Sequence, residues 1–269
     1  MVAVALGARS PPRLKPMRSY QLRPLSTGEI LDGSLTLLRR HFGLLVGIAV
    51  AGEGVPTAMD VYMDLAGGRG QHQGLVFVEP ILSFIGATLV TGATVRVVSE
   101  AYLGRTPRLR DALDFAGDKF GDILGANFVG GVRTLLALLA LIAPGIILAC
   151  GYQVASQVAA LESPPSASDS LRRSWQLTKG FKWKALVLWV VSICVLLAVY
   201  LGAGVLSGVL ATLGGARDWA TTLLAASFSL LVYPLLSCVF TLFYYDLRVR
   251  KEGFDLEMLA QELGLVSGS

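Results

Sequence analysis

The sequence predicts an all-α, polytopic membrane bundle, and three observations carry that prediction. Apolar residues make up 54% of the 269 positions and charged residues only 16%, with a mean hydropathy of +0.62, whereas a soluble domain carries about 25% charged residues. Six stretches reach or approach the roughly 20 apolar residues that cross about 30 Å of hydrocarbon. Of the 23 Lys and Arg residues, all but Arg69, Arg133 and Arg217 fall on one side of an N-inside six-span thread, the asymmetry that the positive-inside rule demands.

Taken in order, residues 1–24 open with a short apolar run followed by a Pro- and Arg-containing stretch. A signal peptide has its basic region first, so a disordered cytosolic leader is expected. The six-span domain occupies 25–252. It begins at Ser26-Thr27-Gly28-Glu29, a capping box in which the Ser and Glu side chains satisfy the first free amides of a helix. Leu31, Leu35 and Leu38 then recur at helical spacing beside Asp32, Arg39 and Arg40, the pattern of an amphipathic helix lying in the headgroup plane.

The spans are read as Phe42 to about Met63, Gly74 to about Val98, Gly121 to Ala143, Gly145 to Leu161, Trp183 to Leu213, and Trp219 to Tyr245. Pro144-Gly145 supplies a tight turn between the third and fourth. The fifth, at about 46 Å if straight, must tilt, break or run along the interface. Short amphipathic segments also precede the third span (from Thr106) and the fifth (from Ser166). The chain therefore reads as three parallel units, each an interfacial helix followed by a two-span hairpin. Residues 253–269 form a cytosolic amphipathic tail. Both termini are placed on the cytosolic side of a bacterial inner membrane.

Composition excludes several classes of function. The net charge of +4 and pI near 9.0 arise from clusters flanking the spans, where anionic lipid rather than nucleic acid is the expected partner. Cys150, Cys194 and Cys238 lie in apolar segments without a CxxC spacing and read as small core residues, not as a disulfide framework or zinc site. No phosphate-loop or HExxH motif occurs, so neither a cofactor nor a metal is expected. His41 and His72 fall on opposite sides of the thread. Glycines at 117, 121 and 125, at 43 and 47, and at 204 and 208 have the small-xxx-small spacing of helix-packing seams.

Ionisable groups inside a bilayer cost about 2.5–3.5 kcal/mol each on insertion scales, so each needs a reason. Glu53, Glu79 and Arg133 lie roughly 8–16 Å from the far ends of their spans at 1.5 Å per residue, with Gln153 and Gln157 at similar depth. Glu53, Arg133, Gln153 and Gln157 are read as one outward-facing polar set: either a site for an anionic group centred on Arg133, or a structural Glu53–Arg133 pair between the first and third spans, with the second favoured; Glu79, nearer its span end, is given a loop-end role. Under that pairing, Arg133→Ala abolishes folding. Arg96 and Glu100 are expected to pair at i, i+4, with Arg96 snorkelling to the headgroups. Arg39, Arg40, Arg172, Arg173, Lys179 and Arg248 are assigned to lipid-headgroup or phosphate contacts. Asp246 is expected to pair with a basic residue between Arg172 and Lys184.

Three segments resemble a known family: LRPLSTGEILDGSLTLLRRHFGLL near the start, LESPPSASDSLRRSWQLTKGFKW in the middle and TLFYYDLRVRKEGFDLEMLAQELG at the end. Together they are similar to the membrane domain of glycerophosphoryl diester phosphodiesterase membrane-domain proteins, over about Leu22 to Gly264. The resemblance implies a helical membrane domain without the soluble catalytic barrel. The leading expectation is thus a non-enzymatic scaffold or accessory subunit contacting anionic lipid, a membrane-protein partner or a second copy. The alternative is a transporter- or permease-like subunit with a polar site around Glu53 and Arg133, and an intramembrane lipid-modifying enzyme comes last. A polar cavity at these residues favours the second over the first.

Overall fold

A computed structural model describes residues 23–66, 73–212 and 218–253. Among them there are ten α-helices and no strand: α1 (Thr27–Arg40), α2 (Phe42–Leu65), α3 (Gln73–Tyr102), α4 (Leu109–Asp118), α5 (Phe120–Ala140), α6 (Ile142–Tyr152), α7 (Ala155–Leu161), α8 (Ala167–Thr178), α9 (Lys182–Thr212) and α10 (Asp218–Glu252). Six segments are long and apolar enough to cross a membrane: α2, α3, α5, α6 continued by α7, α9 and α10. The architecture is that of a multi-pass helical membrane protein. The expected tail lies outside the described residues except for Gly253, as does the expected leader except for Arg23 and Pro24; Arg69, His72 and Arg217 lie outside them too.

α2, α3 and α10 form the centre of the bundle, α9 lies against α10, and the α5–α7 hairpin sits beside α3. α2 and α3 approach each other closely, backbone against backbone. A Cβ on Gly86 would fall 2.3 Å from the Gly52 carbonyl oxygen, and one on Gly52 would fall 2.7 Å from that of Gly86, so both positions need the bare backbone. The glycines singled out by spacing behave differently. Gly43, Gly117, Gly121, Gly204 and Gly208 face open space, and Gly47 and Gly125 make only ordinary contacts.

The three short helices each precede a hairpin but pack elsewhere. α4 lies on α3, α8 lies across α5, α6 and α7, and α1 lies on α10. Each of α4 and α8 therefore docks on the hairpin before it, and α1 docks on the last one. This docking uses a face of α1 next to the expected Leu31-Leu35-Leu38 stripe. Ile30, Ser34 and Leu37 are its buried residues, while Leu35 is exposed, because the protein contact turns the helix about one residue away from the Leu31-Leu35-Leu38 stripe. Its capping box is present as expected, with Ser26 and Glu29 satisfying each other's amides.

Two further boundaries differ from expectation. The turn between α5 and α6 falls at Leu141, the one residue between them with extended backbone, and not at Pro144-Gly145. Pro144 sits in the first turn of α6, where its missing N–H costs nothing. The fourth segment breaks between Tyr152 and Ala155, and the break has a purpose in packing. The freed Gly151 carbonyl accepts hydrogen bonds from Ser174 (2.8 Å) and Thr178 (3.2 Å), and a Cβ at Gly151 would collide with the Trp175 ring. Cys150 and Cys238 are buried as expected, but Cys194 is exposed on α9.

Candidate functional site

The charged side chains separate into two populations. At the end of the bundle where the chain enters α1 and leaves α10, they are paired. Asp246, whose side chain is fully buried, accepts from Lys184 (2.6 Å), Arg250 (2.8 Å) and the Leu25 amide (2.6 Å). The expected partner is therefore found, in the first turn of α9, together with two more. Glu162 accepts from Arg173 (2.6 Å) and Tyr244 (3.0 Å), and Glu252 pairs with Arg173 (2.5 Å) and Arg248 (2.6 Å).

This network reassigns two lipid-contact candidates. Arg248 is buried and Arg173 half-buried, and both spend their donors inside the protein. Burial alone would depress the Arg173 guanidinium, but its hydrogen bonds and charge contacts with Glu162 and Glu252 outweigh that and hold it above its ordinary value. Arg39, Arg40, Arg172 and Lys179 remain exposed. Arg96 pairs with Glu100 at 2.9 Å as expected. It does not snorkel outward, however, since its guanidinium lies 5.5 Å from the Phe115 ring centre of α4 and the side chain is largely covered.

Toward the other end the situation reverses. Glu53 is 5% exposed and its Oε1 has no hydrogen-bond partner. It lines a cavity of about 230 Å³ between α2, α3, α9 and α10, together with Asp60, Glu79, Ser83, Tyr200 and Tyr233. Glu79 accepts from Ser83 at 2.9 Å, and Thr222 donates to Asp64, tying α10 to α2 near the end of α2. Arg133 is not in this cavity and shares no partner with Glu53. It is exposed, donates to Ser168 at 3.1 Å and lines a separate notch with Tyr152, Arg172 and Trp175. The single polar set expected from the sequence is thereby split, because α8 docks on α5 and draws Arg133 toward itself.

Gln153 and Gln157 form a third group. Both are unpartnered at buried atoms, as is Ser237, and all three line a cavity of about 160 Å³ between α3, the α6–α7 break and α10. Tyr233 borders this cavity and the Glu53 cavity alike. Buried polar groups without partners are uncommon and expensive. Five of the six such atoms found among the described residues lie in these two neighbouring cavities: one on Glu53, two on Gln153, one on Gln157 and one on Ser237.

Sequence reading missed Asp60, Tyr200 and Tyr233. The signal for Tyr200 and Tyr233 was present, as phenols placed well inside apolar spans rather than at their ends. Among the described residues no three His, Cys, Asp or Glu side chains converge as metal ligands do. Comparison with protein-family profiles, with curated proteins and with solved structures returns no match.

Proposed function

We propose that the chain is a transporter- or permease-like membrane protein that binds a small organic cation at Glu53, without a reaction of its own. The observation that carries this reading is the unpartnered carboxylate oxygen of Glu53, buried in the wall of a cavity it shares with Glu79 and Asp60. A buried carboxylate left unpaired is costly, and an ammonium or guanidinium group supplies the missing charge. The Tyr200 and Tyr233 rings add faces on which such a cation can rest. Carboxylates spread around the cavity rather than converging suit a diffuse organic cation better than a compact metal ion. At about 230 Å³ the space is smaller than the roughly 300–1,000 Å³ of drug-sized ligand sites, so the cation is small.

The orientation follows from charge. The paired, arginine-rich end faces the cytosol of a bacterium, by the positive-inside rule, and the acidic cavity opens toward the opposite side. The glutamine-lined cavity beyond Tyr233 continues the polar track toward the inner end. Kinship with the glycerophosphoryl diester phosphodiesterase membrane-domain family would make residues 22–264 a helical membrane domain of that kind. The scaffold reading draws on the exposed Arg39, Arg40 and Lys179, but it gives Glu53 no role.

The test is thermal unfolding in lipid nanodiscs with tetramethylammonium, choline, sodium, or the neutral choline isostere 3,3-dimethylbutanol. Organic cations are expected to raise the midpoint of the wild type and to leave Glu53→Gln unchanged. Equal responses of the two proteins, or an equal response to sodium, would sink the proposal.

A further inference from the structure

The α5–α6 hairpin differs from an ordinary membrane crossing at its tip. From Leu135 to Cys150 no side chain carries a charge, amide or hydroxyl. All seven residues from Leu138 to Pro144 are exposed, including Leu139 at 76%, Leu141 at 69% and Ile142 at 71%. A hairpin emerging on the far side would hold these side chains in water, forgoing roughly 1.5–3 kcal/mol for each large one. Segments 66–72 and 213–217, which join the other long pairs, read AGGRGQH and LGGAR, with the glycine and charge that water-exposed turns use.

The root of the hairpin carries the opposite chemistry. α8 lies across it with Leu171 on Gly130 and Trp175 on Gly151, and it keeps the Arg172 side chain 74% accessible. An exposed arginine of this kind belongs at the headgroups, not in hydrocarbon. From that level about ten residues lead to Leu141, or ~15 Å at 1.5 Å per residue, which is half of a 30 Å hydrocarbon layer. The hairpin also leans away from α3, leaving between them an apolar groove of about 820 Å³.

We propose that this hairpin enters the membrane from the arginine-rich face, reaches its middle and returns. We propose also that the notch at its root holds the phosphate of an anionic phospholipid of the same leaflet. The notch, about 340 Å³, is lined by Arg133 and Arg172 with Ser168, Trp175, Tyr152 and Leu148. Arg172 is shared with Asp169 at 3.2 Å, while Arg133 has the Ser168 hydroxyl beside it. Two guanidinium groups beside a hydroxyl and an indole match a lipid phosphate, and the apolar hairpin above them continues into the acyl chains. Arg133, at the middle of the membrane in a crossing hairpin, lies at headgroup depth in this arrangement.

The depth test uses the full chain with Cys194→Ala and Leu141→Cys, carrying a nitroxide at 141 in phosphatidylcholine vesicles. Oxygen and a water-soluble nickel complex compete to relax the label. Relaxation dominated by oxygen, marking the bilayer centre, is expected. A label at headgroup depth on either face, or in water, overturns the hairpin assignment. The lipid half is tested by retention of phosphatidylglycerol on the purified protein. Arg133→Gln and Arg172→Gln are each expected to lower it about tenfold, the loss of one charge-assisted hydrogen bond. Unchanged retention in these exposed-site variants, or full competition by inorganic phosphate alone, overturns the lipid assignment.

Discussion

The two ends of the bundle treat buried charge in opposite ways. Around Asp246 the buried charged groups have partners: Lys184, Arg250 and the Leu25 amide on one carboxylate, with Glu162, Arg173, Arg248 and Glu252 interlocked beside it. Around Glu53 a carboxylate oxygen is buried with none. The first arrangement neutralises itself and fixes α1, α8, α9 and α10 together. The second leaves a buried carboxylate oxygen without a partner, the place at which the proposed cation would sit. What distinguishes the two ends is completeness of pairing, and the proposed site lies where pairing is incomplete.

The sharpest way to break the comparison is to remove the centre of the paired end. Asp246→Ala strands Lys184 in a poorly solvated site and releases the start of α1. Breaking a buried ion pair from one side costs about 3–5 kcal/mol, so the variant is expected to unfold at much lower denaturant in detergent, or not to accumulate. Wild-type stability in that variant would mean that the network is ornamental. Asp246→Asn keeps the hydrogen bond from the Leu25 amide and is expected to lose less.

Next in size is the seam on which the cavity is built. Gly86→Ala places a methyl 2.3 Å from the Gly52 carbonyl oxygen, a contact with rigid backbone that forces α2 and α3 apart at the level of Glu53. Overpacking of this kind costs about 1–3 kcal/mol. Cation-induced stabilisation should vanish with it, since the walls of the site move. Gly117→Ala, which meets open space, is the control and should be neutral.

Glu53→Gln reverses the sign. Replacing an unpaired buried carboxylate with a neutral amide removes a desolvation cost, so without ligand the variant is expected to be as stable as wild type or more so, while its cation response is lost. Arg133→Ala extends the contrast. The sequence alone expects it to abolish folding, as one half of a Glu53–Arg133 pair. With Arg133 exposed and bonded only to Ser168, its effect on stability is expected to be within about 0.5 kcal/mol, as for surface changes generally. A collapse of folding would restore the pairing across the bundle.

These cases show what the sequence made legible. Helical class, the six apolar segments and the α1 capping box are local or compositional properties, and each is present. The Arg96–Glu100 pair is likewise dictated by spacing along one helix. The Asp246 partner was legible because one acid stood among many bases. What failed depends on which helices touch. Spacing put Glu53 and Arg133 at similar depth, but the docking of α8 across α5 and α6 holds Arg133 beside Ser168 and out of the Glu53 cavity. The glycine scan failed for the same reason: a small-xxx-small stripe states that a helix can be approached, and only the partner decides whether it is. Gly52 and Gly86, on different helices, offered no repeat to find.

The smallest effect lies at the first turn of α1, on the paired end, and it has a pH signature. Hydrogen bonding from the Ser26 amide, then the Arg23 guanidinium, then the Ser26 side chain, holds the Glu29 carboxyl down at about 2, against an ordinary 4.5. A depressed carboxylate stabilises the fold fully above its unfolded value, so this contribution is complete above pH 4.5 and is lost as the pH falls toward 2. Protection of the Ser26 amide against hydrogen exchange is therefore expected to decline across that window, while that of Leu45 in α2 stays flat. Glu29→Gln, with no carboxyl to titrate, should abolish the pH dependence. The same decline in wild type and Glu29→Gln would mean that the capping box does not govern how α1 starts, and that docking of Ile30, Ser34 and Leu37 on α10 holds the helix without it.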